Sequence, residues 1–492
     1  MKLKKEIRAN METKNLLKTF TGFAVGPIGA AGINFLTIPI TTWFLSPHEF
    51  GKTSFFLLLQ TLAAAVIFFG MDQSYAREFN NYQNKRKLLF NCLVIPIILS
   101  IAFLILLIIF AHPVINLITK EQSSMVLVLF AIYLPFLAIE RFLLLSIRME
   151  EKGFSFSIFS ILSKLFALIF IIVLLMVWEK SYLAIITATV MGQILVDIIL
   201  IIYCRKSIEI KWSNLDKELL LKLIRFGAPF IPSSLILWCL GSTDRLMLEK
   251  FSSYNELGFY LAALKVVGVF TIFQNIFSTF WIPIAYKWEQ ATVDTKVFNK
   301  ISHYLSFIMS FVFVFILLFK ELFVLLLSER YHDSVYLIPF LLFTPIMLTL
   351  GETTGLGIAF SRKTYLNIWI SMAVASVNFA LNFILIHYMS AVGASIATGG
   401  SYILYFWIRT IVSRSLWFKF DLKYFLIITV ILITAAGLNI TVRNNSILFI
   451  NVSLLIIIVY VNRQTVREIL LKLQEITNRL LFQKRSTSKE SG

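Results

Sequence analysis

The sequence predicts an all-α polytopic membrane protein, and three observations lead there. Of its 492 residues 58% are hydrophobic and only 15% charged, mean hydropathy is +0.82, and apolar runs alternate with short polar breaks along nearly the whole chain. A soluble domain does not carry so large an apolar share. About 20 apolar residues cross a bilayer core as a helix, and no stretch is left over for a soluble domain.

Taken in order, the runs place about fourteen spans, roughly at 20–44, 51–71, 88–111, 125–147, 154–178, 181–203, 222–248, 257–284, 302–319, 334–360, 364–388, 392–413, 424–441 and 446–462. The basic arm MKLKKEIRAN precedes a first run of about 25 residues, and further spans follow; this reads as an uncleaved first span rather than a removed leader. Beyond the fourteenth span, residues 466–483 place Ile469, Leu470, Leu473, Ile476, Leu480 and Leu481 on one face. That pattern predicts a helix lying on the inner membrane surface.

A net charge of +18 would suggest nucleic acid in a soluble chain. Here the cations must first be sorted by side of the membrane. With the N-terminus inside, the connections 72–87, 148–153, 204–221, 285–301, 361–363 and 414–423, with the two terminal arms, hold most of the 45 Lys and Arg. The opposite connections hold about seven, the bias of the positive-inside rule. The charge is therefore an orientation signal placing both termini in the cytoplasm, and no nucleic-acid partner is expected. Trp43, Trp178, Trp281, Trp288 and Trp417 lie near proposed span ends, where the headgroup level suits their rings. Cys92, Cys204 and Cys239 are scattered in or beside apolar segments and read as packing residues. The five histidines form no metal-ligand pair on one helical face. No metal and no cofactor is expected.

The chain also echoes itself. The first span ends ITTWFLSPHEFGKTSF and the seventh DRLMLEKFSSYNELGFY, each passing through a Ser-containing turn to Glu49-Phe50-Gly51 or Glu256-Leu257-Gly258. Both spans hold Gly and two prolines, Pro27 with Pro39 and Pro229 with Pro232. A second echo links ERFLLLSIRMEEKGFSFSIFSIL, from Glu140, with ETTGLGIAFSRKTYLNIWISM, from Glu352. These predict a six-span half over 1–210, a second over 211–414, two appended spans over 415–462 and a cytoplasmic amphipathic tail over 463–492.

Several segments resemble a known family. FGAPFIPSSLILWCLGSTDRLMLEKFSSYNELGFYLAALKV, FLTIPITTWFLSPHEFGKTSF with GMDQSYAREF, and NFALNFILIHYMSAVGASIATGGSYI are similar to the oligosaccharide flippases, the Wzx-type polysaccharide exporters of the superfamily that also holds multidrug and toxic compound extrusion proteins. The resemblance covers nearly the whole chain and rests on loose patterns of Gly, Pro and aromatics. It implies two pseudo-symmetric six-helix bundles around a central cavity, working by alternating access. The implied cargo is an undecaprenyl-diphosphate-linked oligosaccharide, turned to the outer leaflet of a bacterial cytoplasmic membrane for O-antigen, capsule or a similar lipopolysaccharide or surface polymer. A coupling H+ or Na+, membrane lipid, and a polysaccharide polymerase with chain-length proteins are the implied partners. A multidrug exporter and a peptidoglycan-precursor flippase share the superfamily and remain alternatives. A membrane oligosaccharide polymerase is a further one, although the longest outer connection, KELFVLLLSERYHD, offers no nucleophile and base pair.

Moving a diphosphate through hydrocarbon calls for fixed cations on polar faces inside spans. An isolated charge at a span centre costs roughly 2.5–3.5 kcal/mol on insertion scales, so each such group needs a use or a partner. Ser157, Ser160 and Lys164 share a face of the fifth span, and Lys265, Gly268 and Asn275 one of the eighth. Asn378 and Asn382 line the eleventh, and Tyr402 with Arg409 the twelfth. The expected cavity cations are Lys164, Lys265, Arg245, Arg409 and Arg141, the last equally suited to a local ion pair. Arg245 is expected to face the outer mouth of the cavity, with Asp244 paired to a neighbouring cation. Asp197, which shares a face with Thr189 and Gln193, and Glu352 within GETTGLG are candidates for ion coupling. Asp72 and Arg77 are candidates for an ion pair at an inner gate. GETTGLG is no phosphate loop, since no Lys follows its glycines; they are expected to let helices approach closely.

Overall fold

The computed structural model describes residues 25–110, 123–208, 211–291, 294–363, 365–444, 446–469 and 471. The basic N-terminal arm and most of the expected surface helix of the tail lie outside them. Among the described residues ten helices are long and apolar enough to cross a membrane, and up to thirteen spans result if each of three bent pairs is one span. The chain is a multi-pass membrane protein. A helix satisfies its own backbone, which hydrocarbon cannot.

In chain order the helices are α1 (Val25–Phe44), α2 (Pro47–Ile67), α3 (Met71–Glu78), α4 (Lys85–Ile109), α5 (Ser124–Met149), α6 (Gly153–Val177), α7 (Tyr182–Tyr203), α8 (Lys217–Gly227), α9 (Phe230–Phe251) and α10 (Tyr254–Gln290). There follow α11 (Thr295–Leu318), α12 (Lys320–Leu325), a 3-10 segment (Glu329–Tyr336), α13 (Ile338–Leu341), α14 (Phe343–Thr354), α15 (Leu356–Phe360), α16 (Tyr365–Leu416), α17 (Leu422–Thr441) and α18 (Ser446–Val461).

Several elements depart from the sequence reading. Glu49 and Phe50, expected in a connection before a span starting at Gly51, sit in the first turn of α2, because Ser46 caps it and Pro47 opens it. The expected seventh span is a bent pair: α8 stops at Gly227, Pro229 begins the next helix, and the chain bends there. The two prolines cause this, since neither donates a backbone hydrogen bond. The expected tenth span is bent by 53° between the 3-10 segment and the helices after it. Conversely, the eleventh and twelfth spans run as the 52-residue α16, broken only at Ser390 (φ 47°, ψ −127°).

The chain divides into two compact units. The first holds residues up to Lys265 together with 327–332 and 386–391; the expected boundary near 210 falls inside it. Among the described residues its core includes two apolar clusters. One gathers Phe55, Phe56, Phe130, Leu134, Ile171 and Ile186, the other Met71, Tyr75, Leu88, Phe142, Phe159 and Val196.

The second unit holds 266–326, 333–385 and the residues from Val392 onward. Here Trp281, Trp288 and Trp417 pack with Phe298 and Phe360 in one aromatic cluster. Trp281 is 3% exposed, which corrects its expected place at the headgroups: aromatic area buried in a core outweighs interfacial wetting, and the indole N–H finds the Glu352 carbonyl at 3.1 Å. Trp43 and Trp178 are exposed as expected. Cys92 and Cys204 are buried, whereas Cys239 is exposed and is not a packing residue. After α18 the helix Arg463–Ile469 turns by 76°, and its Glu468 pairs with Lys300 at 2.6 Å.

Two glycines allow a close crossing. A Cβ on Gly258 would stand 1.9 Å from the Pro47 carbonyl oxygen, and one on Gly51 would stand 2.1 Å from that of Tyr254. Gly241, by contrast, faces open space. Gly258→Ala is therefore expected to lower the thermal midpoint of the purified protein by several degrees. Gly241→Ala is expected to leave it equal or higher, since Ala is favoured over Gly in a helix by about 1 kcal/mol. A detergent-solubilised melt followed by tryptophan fluorescence separates the two.

Candidate functional site

The first unit carries a polar layer between its two apolar clusters. Along α5, Leu137 and Ala138 belong to one cluster and Phe142 and Leu143 to the other, with Glu140 between them. Along α6, Lys164 lies between Phe159 and Ile171, and along α7, Gln193 lies between Val190 and Val196. The Gln193 amide donates to Asp197 Oδ1 at 2.9 Å. The Glu140 carboxylate interacts with Lys164, Gln193 and Arg141. Asp197 is fully buried, and its Oδ2 has no hydrogen-bond partner among the described residues. Two carboxylates, a lysine and an amide thus meet at one level of this unit, where charged groups need partners inside the protein. The sequence pointed to Lys164 and Asp197 singly. It missed Glu140, which lies on a different helix from Lys164 and from Asp197, a relation no single-helix pattern reveals.

Toward α3 the same unit resolves the remaining charges. Asp72, expected beside Arg77, instead accepts two hydrogen bonds from Arg141, at 2.7 and 3.3 Å. Arg77 lies over the Phe226 ring, 4.1 Å from its centroid, with its Nε 3.9 Å from Glu78. Ser157 accepts from the Gly26 amide at 2.8 Å and so fastens α1 to α6, while Ser160 bonds back to the Phe156 carbonyl of its own helix. Neither hydroxyl is a bare cavity group.

The ends of α2 and α10 meet in a seam. Ser46 and Ser253 each accept from the amide of a glutamate three residues on, Glu49 and Glu256, both at 3.3 Å. In an ordinary capping box the glutamate would reach back to its own cap. Here each reaches another helix: Glu49 accepts from the first amide of α7, Tyr182, at 3.0 Å, and Glu256 from that of Ala391, just after the break in α16, at 3.1 Å. Beneath these caps lies the Gly51–Gly258 crossing. Tyr331 is fully buried, donates to the Leu45 carbonyl at 3.1 Å, and sets its ring against Phe50 and Phe259. The Lys265 ammonium stands 4.5 Å from the Phe50 ring centroid and forms no ion pair among the described residues. Asp244, expected to pair with a cation, accepts instead from the Tyr260 hydroxyl and from the Arg245 amide at 3.1 Å. The Arg245 guanidinium folds back on its own helix, 2.6 Å from the Gly241 carbonyl.

In the second unit, Arg409 lies against the GETTG turn: a Cβ on Gly355 would stand 2.5 Å from its Nε, which is buried without a partner. Gly357 donates to Ser413 Oγ at 2.9 Å, so these glycines do permit close approach of α15 and α16. The Glu352 carboxylate makes no hydrogen bond or ion pair among the described residues. Asn378 donates to Ser401 Oγ at 3.2 Å, and Asn382 to Asn378 at 3.1 Å, an internal ladder that ties the arms of α16. Asn275 is exposed and Tyr402 partly buried.

The family model described as "Polysaccharide biosynthesis protein" matches residues 16–289. No curated protein matches the chain. Among solved structures it is similar to "Lipid II flippase MurJ, inward closed conformation", with a TM-score of 0.67 at 14% identity over 91% of this chain and 99% of that one. It is also similar to a multidrug resistance MATE family transporter of the MOP superfamily in an inward-facing conformation (TM-score 0.57, 14% identity, 78% of this chain and 94% of that one). An outward-facing MATE structure scores 0.53 at 13% identity, over 81% and 95%. The fold is thus that of this transporter superfamily, and the resemblance to its Wzx-type members is borne out at the level of family and fold.

Removing Arg141 would leave the buried Asp72 carboxylate without its cation and with the Gln73 amide, at 3.3 Å, as its remaining donor among the described residues. Arg141→Ala is expected to cost about 1–3 kcal/mol, and Asp72→Ala combined with Arg141→Ala less than the single change. A double-mutant cycle read by thermal melting checks this coupling.

Proposed function

The chain belongs to the polysaccharide biosynthesis protein family, and we propose that it is a flippase for a polyprenyl-diphosphate-linked oligosaccharide. In this reading the carrier is undecaprenyl, the membrane is a bacterial cytoplasmic membrane with both chain termini inside, and the product enters a surface polysaccharide such as O-antigen or capsule. A polymerase and chain-length proteins take it onward. The halves 1–210 and 211–414 alternate access to the cargo, and the seam at Gly51 and Gly258 is the closed outer side.

The observation that carries the reading is the polar layer. A membrane protein retains charges at such depth only where they are used or paired. Lys164 is attracted by Glu140, whereas Lys265 stands over the Phe50 ring and has no ion pair among the described residues. Both are suited to a diphosphate, whose charge needs fixed cations where water is scarce. Arg409, with a buried Nε lacking an acceptor, is suited to a sugar hydroxyl or a phosphate oxygen. The Asp197 and Glu140 carboxylates take up and release the coupling ion, a proton or sodium, as the lysine beside them engages or leaves the cargo.

The test is a mass spectrum of polyprenyl lipids from cells with and without the gene. An undecaprenyl-diphosphate oligosaccharide is expected to accumulate without it, and its mass identifies the cargo. Lys164→Gln and Lys265→Gln are each expected to fail to clear that lipid at normal protein level, with Lys→Arg at either site restoring part of the export. Unchanged lipid-linked sugars in the deletion would overturn the flippase reading and favour drug export.

A further inference from the structure

The helix α8 joins the expected halves and is amphipathic in a way the transport reading does not use. Leu219, Leu223 and Gly227 are buried, one turn apart, while Leu221, Lys222 and Arg225 are exposed. Its position is fixed from several sides. Asp216 caps it through the amides of Glu218 and Leu219, both at 3.1 Å, and is itself held by Lys87 at 2.8 Å. The Lys87 hydrogen bond keeps the Asp216 carboxyl below the usual carboxylate range. Asn91 grips the approach to the cap, donating to the Asn214 carbonyl at 2.8 Å and accepting from the Asp216 amide at 3.0 Å. Ser74 donates to the Leu223 carbonyl at 2.8 Å, and Gly70, at φ 67°, lets α3 meet Gly227 backbone to backbone.

Between these two pinned helices lies a cleft of about 500 Å³, lined by Ser74, Arg77 and Glu78 from α3 and by Glu218, Leu221, Lys222, Arg225 and Phe226 from α8. Three cations face two carboxylates. Glu78 is taken up by Lys222 at 2.7 Å, and Glu218 sits in the first turn of α8, where a carboxylate favours the helix N-terminus. Arg77 lies over the Phe226 ring at 4.1 Å, with its Nε a looser 3.9 Å from the same Glu78, and Arg225 has no acceptor or acid among the described residues. One carboxylate, Glu78, is thus shared by Lys222 and Arg77, and the two guanidinium groups keep donors to spare on a preformed cleft whose other walls, Leu221 and Phe226, are apolar.

We propose that this cleft binds the phosphate of an anionic phospholipid of the cytoplasmic leaflet. The positive-inside rule places α8 on that side, and guanidinium groups present paired donors to phosphate oxygens. The surplus of one positive charge over the five ionisable groups matches a phosphodiester, which carries one negative charge. A diphosphate carries more and would leave the cleft overfilled with anion. Leu221 and Phe226 meet the glycerol and first methylenes of the lipid. The bound lipid anchors the connector between the expected halves at the inner surface, independently of what the protein transports.

The test uses the full chain in nanodiscs and in detergent, with native mass spectrometry and titration by phosphatidylglycerol, and with phosphatidylcholine as the uncharged reference. Phosphatidylglycerol is expected to bind at a saturable site, about tenfold more weakly in Arg225→Gln and more weakly still in Arg77→Gln/Arg225→Gln. Arg225 is exposed and makes no hydrogen bond or ion pair among the described residues, so its variant is expected to keep the melting midpoint of the wild type. A control, Arg205→Gln/Lys206→Gln, removes two exposed cations of the same side from outside the cleft and is expected to bind as the wild type does. Equal weakening by the control would overturn the proposal in favour of unspecific surface charge. Displacement of phosphatidylglycerol by a polyprenyl diphosphate at equimolar concentration would overturn it in favour of a cargo site.

Discussion

Hydrocarbon offers no hydrogen-bond partner, and every polar group this chain carries into its spans must find one inside the protein. Much of the packing follows from that single constraint. Asn439 and Asn451 bond to each other at 2.8 and 3.3 Å and join α17 to α18. Lys320, 2% exposed, donates to the Asn439 carbonyl at 2.9 Å, close to the C-terminal end of α17, where a cation is favoured by the unpaired carbonyls. Asp72 finds Arg141, and Asp244 finds Tyr260. Against this background the unmet groups stand out. Among the charged side chains described, Asp197 Oδ2 and the Nε atoms of Arg409 and Arg414 are buried without a partner, and the first two fall among the groups singled out for transport.

The apolar runs made the spans legible, because length and hydropathy alone decide whether a helix can cross a bilayer. They were less informative about where helices begin. A cap is a local hydrogen bond rather than a hydropathy change, so Ser46 and Pro47 start α2 four residues before the apolar run suggests. Single-helix stripes found Lys164, Asp197, Asn378 and Asn382 because each shares a face with other polar groups. They could not find partners on separate helices, which is why Asp72 was matched to Arg77 and Asp244 to an unnamed cation. The aromatic rings were misread for a related reason. Trp281 near a span end satisfies the pattern of an interfacial belt, but only packing distinguishes a ring in the headgroups from one among Phe277, Trp288 and Phe298.

The echo between Glu49-Phe50-Gly51 and Glu256-Leu257-Gly258 proved to hold more than sequence likeness. Both members make the same serine cap, the same long-range helix cap and the same close crossing. A further echo could have been read beside it: SYLAIITAT, from Ser181, and SAVGASIAT, from Ser390, begin the two helices whose first amides the glutamates receive. Short apolar repeats arise by chance. A repeated pair of segments joined by a repeated contact does not share that weakness.

The Glu49 and Glu256 caps also decide which parts of the chain bear load. Each carboxylate ties the start of a first hairpin directly to the start of a helix more than a hundred residues later, so tension between them travels through a hydrogen bond rather than along the intervening polypeptide. The segment from Trp178 to Ser181 and the turn at Ser390 then serve as slack. Their length and composition are free to drift while the helices they introduce stay in register, because the register is set from outside the loop.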